Sequence, residues 1–524
     1  MRRARALLLG TVCAVAACRA GAPDRLVQTD GRFDEWSDVR PLIEDDRGDV
    51  PEHAAVDLGT VRVLDDPTYL HLRIDLGRPV NAQAMRGMVA IAFDADGQPE
   101  TGGRAGDLEG ADLVVELSRQ DAPRPSGVGL GIGYRLISPE AARSMQSGYD
   151  LELIIAPTFS SSQFELRITR GSTLASGDSA FTRSQVALQM AYVVGTDTVD
   201  RTDVGRYALR TAHRPRGRPS AAVPPRLPET FRLLQWNVGE TQVRDELEAF
   251  ARVIGAANPD VVVLDEVFRG VQRGDIERLL DHAVDDAGSW DVILARSGGR
   301  QRTVVASRLP LRLEPYFTEV AYPVGVLDSL LGVFGDTSLA QLIRIERAAG
   351  LSTVAAWVTV GLRNVLVVAL DLQSAGYGGS PRDRLREVQA RSIHDRLSAA
   401  LASRTPGNGT FPVVISGDFN LVGSRRPLDI LSQSLPETGP LAPAEPYRLG
   451  DRTQTTWRDP RDVFTPGRLD YLLVTPQTLE VRQSFVFDTA VLADSTLTSL
   501  GVRRDDALVT SHHLPIVADI ALVH

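Results

Sequence analysis

A proline-rich stretch at residues 211–229 divides the chain into two parts whose hydrophobic patterns differ. Proline lacks the amide proton that helices and sheet ladders use, so such a stretch is typical of a semi-rigid linker. Short apolar segments and turn residues alternate before it, and longer apolar runs alternate with helical patterns after it. A length of 524 residues is sufficient for two or three domains. We therefore predict two domains of different class, residues 19–210 and 230–524, joined by this linker.

The first domain is predicted to be an all-β sandwich. Its short apolar segments are separated by turn chemistry such as that of residues 65–68. Several short strands with such turns indicate two packed antiparallel sheets. The predicted strands are 61–64, 69–74, 89–93, 113–117, 149–155 and 164–168.

A set of motifs recurs in order along this domain, at residues 30–36, 93–97, 101–102, 110–112 and 164–166. The set resembles the family-9-like carbohydrate-binding and DOMON-type β-sandwiches, which implies a glycan as one candidate partner. Trp36 is then either a platform for a sugar ring or a core residue. The turn from Asp94 to Gly97 either presents oxygens to Ca²⁺ or is simply solvated, and the second interpretation is favoured because the EF-hand ligand series is incomplete.

The first eighteen residues have the pattern of a secretory signal. A basic start at residues 1–5 precedes an apolar run at 6–17 that is too short to span a bilayer stably. The run ends in Val-Ala-Ala before Cys18, which resembles a bacterial lipobox with a lipidated cysteine. We predict a lipoprotein signal peptide at 1–18 and anchoring by Cys18 to a membrane outside the cytoplasm. By resemblance to lipoprotein sorting, Arg19 favours the outer membrane if the cell has one. The alternative is an ordinary signal peptide that happens to end in cysteine.

Charge and cysteine content exclude some functions. Cys13 and Cys18 are the only cysteines, so the rest of the chain has no disulfide and no thiol chemistry. The formal net charge of −10 argues against a general polyanion-binding surface. A nuclease with an acidic metal site is not excluded, because a bound cation changes the local electric field.

The second domain is predicted to be a layered α/β structure. Long apolar strands with helical segments between them indicate sheets that are covered on both faces. The segment 324–345 is an amphipathic insertion that caps or flanks a site. The predicted helices are 244–256 and 276–283, and the predicted strands are 233–237, 260–264, 303–306, 354–370, 413–415, 469–474 and 516–520.

Polar residues stand in or directly after these strands in a series. Acids and amides at strand ends converge on one edge of a sheet, where α/β proteins build their sites. The series consists of Asn237, Glu266, Asp418, Asn420, Asp470 and His513.

This series, in this order, resembles the endonuclease/exonuclease/phosphatase superfamily, which has the DNase I-like fold. The most specific motifs are Gly-Asp-Phe-Asn at 417–420 and Arg-Leu-Asp-Tyr at 468–471. Arg386 and Gln389 match the family's helix after its fourth motif. The resemblance implies a four-layer α/β sandwich over residues 230–524 and a metal-dependent phosphoesterase.

The resemblance also implies a role for each residue. Glu266 is the principal metal ligand and Asn237 supports it, with Mg²⁺, or alternatively Mn²⁺, as the ion. Asp418 orients or deprotonates the attacking water, and Asn420 donates to the phosphate. His513 contacts the phosphoryl group, and Asp470 fixes the tautomer of its ring and favours its charged form. Each residue taken alone could instead be a turn residue, a strand cap or a buried histidine.

Two positions depart from the family pattern. Asp371 stands where the fourth motif usually has histidine, and His512 stands where the last motif usually has aspartate. We expect the two side chains to face each other across the site, so that each favours the other's charged form. Independent change in a weakened or retuned site is the alternative.

The leading function is hydrolysis of a phosphodiester or phosphomonoester by an extracytoplasmic, membrane-anchored enzyme. Its substrate could be nucleic acid, a phospholipid head group or a small phosphoester. The alternatives are a catalytically impaired protein of the same fold that serves binding, and a protein whose biology is set by glycan binding of the first domain.

Overall fold

The computed structural model describes residues 27–121, 128–138, 144–217, 221–239, 246–284, 289–334, 337–404 and 410–523. The predicted signal peptide and Cys18 therefore lie outside the described residues. Within the described residues, none of the helices combines the length and the apolar character needed to cross a membrane.

The N-terminal domain is an antiparallel β-sandwich, as predicted. One sheet has the order β1-β2-β10-β9, and the other has the order β12-β11-β3-β6-β7-β8, with β13 also paired to β11. A continuous apolar core fills the space between them. The strands are β1 (Val61–Asp65), β2 (Tyr69–Val80), β3 (Met88–Asp94), β4 (Gly103–Ala105), β5 (Leu108–Ala111), β6 (Leu113–Leu117), β7 (Ile132–Leu136), β8 (Gln146–Ser147), β9 (Ile154–Ala156), β10 (Ser161–Thr169), β11 (Gln185–Val194), β12 (Asp197–Arg201) and β13 (Gly205–Ala208).

One predicted strand of this domain is wrong over most of its length. The segment 149–155 begins within a 3-10 turn, Gly148–Leu151, and only its end belongs to β9. Glu152 ends the turn with a positive φ of 46°, a conformation that interrupts a strand. The apolar pattern of this segment therefore reflects the burial of its side chains, although most of its backbone is not extended.

The predicted linker contains no helix or strand in the described residues 211–217 and 221–229. It lies against both domains. Arg214 N donates to Pro67 O in the sandwich, and Ala221 forms an isolated bridge with Leu492 in the second domain.

The C-terminal domain contains two packed sheets flanked by helices. The first sheet has the order β16-β17-β15-β14-β26-β25-β23, and the second has the order β18-β19-β20-β21-β24-β22. The strands are β14 (Phe231–Asn237), β15 (Val261–Phe268), β16 (Asp291–Leu294), β17 (Gln301–Ser307), β18 (Leu311–Leu313), β19 (Thr353–Val360), β20 (Arg363–Asp371), β21 (Val413–Asp418), β22 (Ala442–Pro443), β23 (Tyr447–Arg448), β24 (Asp470–Val474), β25 (Leu479–Val486) and β26 (Ile516–Leu522). The helices are α1 (Leu247–Ala257), α2 (Arg273–Ala283), α3 (Val326–Phe334), α4 (Thr337–Ala349), α5 (Pro381–Ala402), α6 (Arg426–Leu431), α7 (Asp494–Leu500) and α8 (Asp506–Thr510).

The apolar clusters confirm the four-layer order helix, sheet, sheet, helix. One cluster joins the two sheets, a second joins the first sheet to α1 and α2, and a third joins the second sheet to α5 and α6. Strand β15 shows how the sequence produces this order. Val261 and Val263 face the other sheet, while Val262 and Leu264 face the helices.

Two segments of this domain differ from or refine the prediction. Residues 354–370 form the hairpin of β19 and β20 and not one strand, because the chain turns at Gly361, which has a φ of 59°. The insertion 324–345 folds as α3 and part of α4.

Candidate active site

The polar residues predicted at strand ends lie at one end of the two packed sheets. Strand β14 ends at Asn237 and runs parallel to β15, which carries Glu266. In the other sheet, β21 ends at Asp418, which is paired with Asp470 at the start of β24. His513 comes shortly before β26, the other neighbour of β14. The fold therefore brings both halves of the predicted site together.

His513 lies between two carboxylates. Its Nδ1 is 2.8 Å from Asp470 Oδ2, and its Nε2 is 3.8 Å from Asp418 Oδ2. Burial lowers the pKa of His513, but the Asp470 carboxylate and, beyond it, Asp418 outweigh burial and raise the pKa to about 10. The structure contains the predicted contact with Asp470, whose charge favours the imidazolium form of the ring.

Asp418 is fully buried and tightly held. Asn237 Nδ2 donates to its Oδ2 at 3.0 Å, and the backbone N of Asn420 donates to its Oδ1 at 2.8 Å. Burial and the neighbouring charge of Asp470 raise the pKa of Asp418 to about 7. The carboxylate is thus oriented by two donors at the floor of the site.

The two asparagines make further contacts inside the protein. Asn237 Oδ1 accepts from Gly239 N at 2.8 Å, and Asn420 Nδ2 donates to Leu372 O at 2.8 Å. The structure thus shows Asn237 supporting Asp418. The expected roles of Asn237 as a metal ligand and of Asn420 as a phosphate donor stay predictions.

Unusual backbone geometry positions two of these side chains. Glu266 has a φ of 54° and lies where the pairing of β15 with β17 shifts register, so a bulge aims its side chain. Gly417, directly before Asp418, has a φ of 147°, and a Cβ there would lie 1.9 Å from Leu370 O. Only glycine permits β21 to approach β20 this closely.

Three carboxylates converge at the site. Oxygens of Glu266, Asp371 and Asp418 lie within 4.8 Å of one another. Burial, followed by the charges of Glu266 and Asp418, raises the pKa of Asp371 well above its usual range. Hard carboxylate oxygens at this spacing are the donor set that Mg²⁺ or Mn²⁺ takes, so these residues fit a divalent cation.

A further acid, Asp265, was missed by the reasoning from sequence. It is fully buried, its Oδ1 accepts from Gln235 Nε2 at 3.2 Å, and its Oδ2 has no hydrogen-bond partner among the described residues. Burial, with the charges of Asp470 and Asp418, raises its pKa well above the usual range. An acid ending the apolar run 261–264 was the signal that could have found it.

The expected pair between Asp371 and His512 does not form. Nε2 of His512 is 3.5 Å from Asp459 Oδ2 and 2.8 Å from an Arg461 nitrogen, and among the described residues no ion pair joins it to Asp371. The reason is that Arg458 N donates to His512 O, which brings the 458–461 loop beside the histidine. The acid that replaces the family's histidine joins the other carboxylates instead.

The matched helix residues support the edge of the site. Arg386 donates to Gln373 O at 2.8 Å and to Ala375 O at 2.5 Å, and it pairs with Asp383 at 3.0 Å. Gln389 Oε1 accepts from Gln373 N at 2.7 Å. These contacts fix the segment that follows β20.

The site opens into a cleft of about 950 Å³. Its floor carries Glu266, Asp418, Asn420 and His513, and His512 lies on its wall. Leu339 and Leu342 of α4 also line it, so the insertion flanks the site as predicted.

In the N-terminal domain, the interpretation of Trp36 as a sugar platform is wrong. The side chain is 1% exposed, and its Nε1 donates to Glu165 Oε1 at 2.7 Å. Asp94, Asp96 and Asp112 are buried, so the favoured interpretation of a solvated turn is wrong. Their carboxylate oxygens lie within 4.8 Å of one another, and Ca²⁺ binding there stays the alternative prediction.

A protein-family comparison matches residues 234–495 to the model of the endonuclease/exonuclease/phosphatase family. The chain belongs to this family. The match spans β14 to α7 and so covers the predicted positions from Asn237 to Asp470. The family assignment gives the domain a phosphoesterase-type fold. No curated protein sequence matches the chain.

Several solved structures are similar to this chain at low identity. An endonuclease/exonuclease/phosphatase from Bacteroides vulgatus is 15% identical, with 56% of this chain and 99% of that chain covered and a TM-score of 0.35. The human Nocturnin catalytic domain with bound sulfate is 16% identical, with coverage of 57% and 96% and a TM-score of 0.35. Beta toxin from Staphylococcus aureus is 17% identical, with coverage of 55% and 99% and a TM-score of 0.34.

Proposed function

We propose that this chain is a Mg²⁺- or Mn²⁺-dependent hydrolase that cleaves a phosphodiester or phosphomonoester by attack of water. The observation that supports the proposal most is the juxtaposition of two elements. An imidazolium at His513 lies 3.8 Å from Asp418, and the same Asp418 belongs to the cluster of three carboxylates. A phosphoester needs both, because its own oxygens are anionic and resist attack.

Each residue has a distinct task in the proposed reaction. Glu266, Asp371 and Asp418 would hold a divalent cation, which when bound would neutralise the phosphoryl charge and polarise a phosphoryl oxygen. Asp418, fixed by its two amide donors, orients the attacking water and takes up its proton. His513 donates from Nε2 to a phosphoryl oxygen, and Asp470 keeps the ring charged.

Hydrolysis of bis-p-nitrophenyl phosphate, DNA and sphingomyelin by the full chain, with Mg²⁺ and with EDTA, tests this proposal. We expect Glu266→Gln and Asp418→Asn to reduce turnover by several powers of ten while the protein stays folded. Asp462→Asn is the matched control, because Asp462 lines the same cleft outside the carboxylate cluster. Undiminished activity in EDTA would refute the mechanism.

A catalytically impaired binding protein of the same fold is the second candidate. One observation favours it, namely that Asp371 adds negative charge where the family pattern has an imidazole to meet the phosphate. This candidate predicts that a phosphate analogue binds and that none of the three substrates turns over. Detectable Mg²⁺-dependent turnover that disappears in Asp418→Asn decides against it.

We further propose that the protein is held outside the cytoplasm by lipid on Cys18, with the outer membrane as its location. The lipobox-like end of the signal supports this. Labelling of cells with a fatty-acid analogue should tag the wild type and not Cys18→Ala. Cys13→Ala is the matched control, since Cys13 lies in the segment that is removed. Label retained in Cys18→Ala would exclude this residue as the anchor.

A further inference from the structure

The N-terminal domain contributes directly to the wall of the active-site cleft. Its residues share the cleft with Asp418 and His513 although they are far away in sequence. They are Asn81, Gln83, Ala84, Val128, Leu130 and Thr158. A sandwich that served only as a separate binding module would have no reason to lie there.

The same loops hold the chain segments that carry the catalytic residues. Asn81 Nδ2 donates to Val422 O, two residues after Asn420. Thr465 N donates to Gln83 Oε1 at 2.9 Å, five residues before Asp470. The sandwich therefore braces the segments on both sides of the site.

Buried charge fixes the sandwich in this position. Arg167, on the outer face of β10, pairs with Asp451 of the C-terminal domain at 2.5 Å, and their side chains are 3% and 2% exposed. Burial alone raises the pKa of Asp451, but Arg167 and Arg448 hold it below its usual range. Separating the domains would leave the buried Arg167 without its carboxylate partner, while Asp451 would retain Arg448, so opening this interface is costly.

The chemistry of the cleft walls is mostly apolar. Half-buried apolar side chains come from both domains, namely Val128, Leu130, Leu342, Val422, Trp457 and Phe464. Apart from the two histidines, Arg382 is the one cation among the described lining residues, and it has no ion-pair partner within them. A nucleic-acid strand needs a row of cations along its phosphates, and these walls do not provide one.

We propose that the N-terminal sandwich is a substrate-selecting part of the active site, and that the substrate is a phosphoester of an apolar alcohol. The inference rests on the proposed function. The phosphate lies at Asp418 and His513, and the apolar group lies against Leu130, Val128 and Phe464. The cleft volume of about 950 Å³ accepts a medium-sized organic group.

Binding of two alkylphosphonates to the full chain with Mg²⁺ tests this without requiring turnover, because their P–C bond is not hydrolysed. Hexylphosphonate carries four more methylene groups than ethylphosphonate, which when fully buried would tighten binding up to about 200-fold. Since the side chains of these walls are only half-buried, we expect hexylphosphonate to bind with a Kd about tenfold lower than that of ethylphosphonate. Leu130→Asn should reduce that ratio at least threefold.

Leu209→Asn is the matched control, because Leu209 is a half-buried leucine of the same domain that does not line the cleft. Circular dichroism checks that both variants fold, and Val128→Asn provides a second variant of the wall. Equal Kd values for the two phosphonates overturn the apolar substrate class. An equal effect of Leu130→Asn and Leu209→Asn overturns the role of the sandwich.

Hydrolysis separates this inference from the proposed function. We expect p-nitrophenyl hexyl phosphate to have a kcat/KM at least threefold above that of the ethyl ester, since the leaving group is the same. A hexyl preference in binding without hydrolysis of either ester refutes the proposed function and leaves the role of the wall supported. Faster cleavage of a single-stranded oligonucleotide than of the hexyl ester overturns the substrate class.

Discussion

Replacing Asp371 by asparagine changes the charge of the carboxylate cluster with almost no change in shape. In the metal-free protein, its oxygens lie within 4.8 Å of those of Glu266 and Asp418. With an effective dielectric constant of about 20, two unit charges at that separation repel by about 3 kcal/mol. The wild type relieves part of this repulsion by taking up a proton, in accordance with the raised pKa of Asp371. We therefore expect Asp371→Asn without metal to be about 1–3 kcal/mol more stable.

Added Mg²⁺ should stabilise the wild type more than the variant. The wild type offers three carboxylates to a divalent cation, whereas the variant offers two and a weaker amide oxygen. A tenfold loss of affinity removes about 1.4 kcal/mol of the stabilisation that a saturating ion confers. The variant should thus start with the higher Tm in EDTA and gain less from added Mg²⁺.

Thermal unfolding followed by circular dichroism, in EDTA and in a Mg²⁺ titration, measures both effects. With about 2 °C per kcal/mol for a large domain, the metal-free Tm should rise by about 2–6 °C. Asp462→Asn, which removes an acid of the same cleft outside the cluster, should change neither quantity. A lower metal-free Tm in Asp371→Asn, or a Mg²⁺ response equal to that of the wild type, would show that Asp371 is not part of the cation site.

Three further substitutions test the packing of β21 against β20, the domain interface and the ion pair of Asp470 with His513. Gly417→Ala should abolish soluble folded protein in expression trials, since its Cβ would overlap the backbone of β20 at 1.9 Å; normal yield would contradict this. Arg167→Leu should lower stability by about 3 kcal/mol in urea denaturation, because Asp451 loses a buried partner, and an unchanged midpoint would argue against a fixed interface. Asp470→Asn should lower kcat about 10²- to 10⁴-fold in a steady-state assay with an unchanged Tm, because His513 loses the carboxylate that charges it; full activity would refute that role.

The sequence predicted those parts of the molecule that depend on local pattern. Period-two alternation identified β1, β2 and β6, and the all-apolar run at 261–264 identified the buried strand β15. Polar residues that interrupt such strands identified the site, because a buried acid in an apolar strand is costly unless it has a function. The contact of Asp470 with His513 was implied by the resemblance to the family.

Features that depend on long-range packing could not be predicted in this way. Asp371 and His512 stand at positions of the family's motifs with exchanged residue types, but the sequence gives no information on which neighbour each will face. The neighbour of His512 is set by the 458–461 loop, and the position of that loop depends on the sandwich, because Asp459 N donates to Tyr149 Oη at 2.9 Å. Tyr149 of the first domain thus affects which partner His512 of the second domain contacts.

The proline-rich linker suggested two separable modules, and the interface argues against that view. On β10, alternate residues face the sandwich core, while Glu165 and Arg167 on the opposite face are buried as well. Glu165 is covered by Trp36 of its own domain, whereas Arg167 is covered by Asp451 of the second domain, so the burial of Arg167 depends on that domain. Residues 230–524 alone would retain every catalytic side chain but would lose the contacts at Val422 and Thr465. The site is therefore formed by both domains together, so substrate selection and catalysis depend on the same two-domain structure.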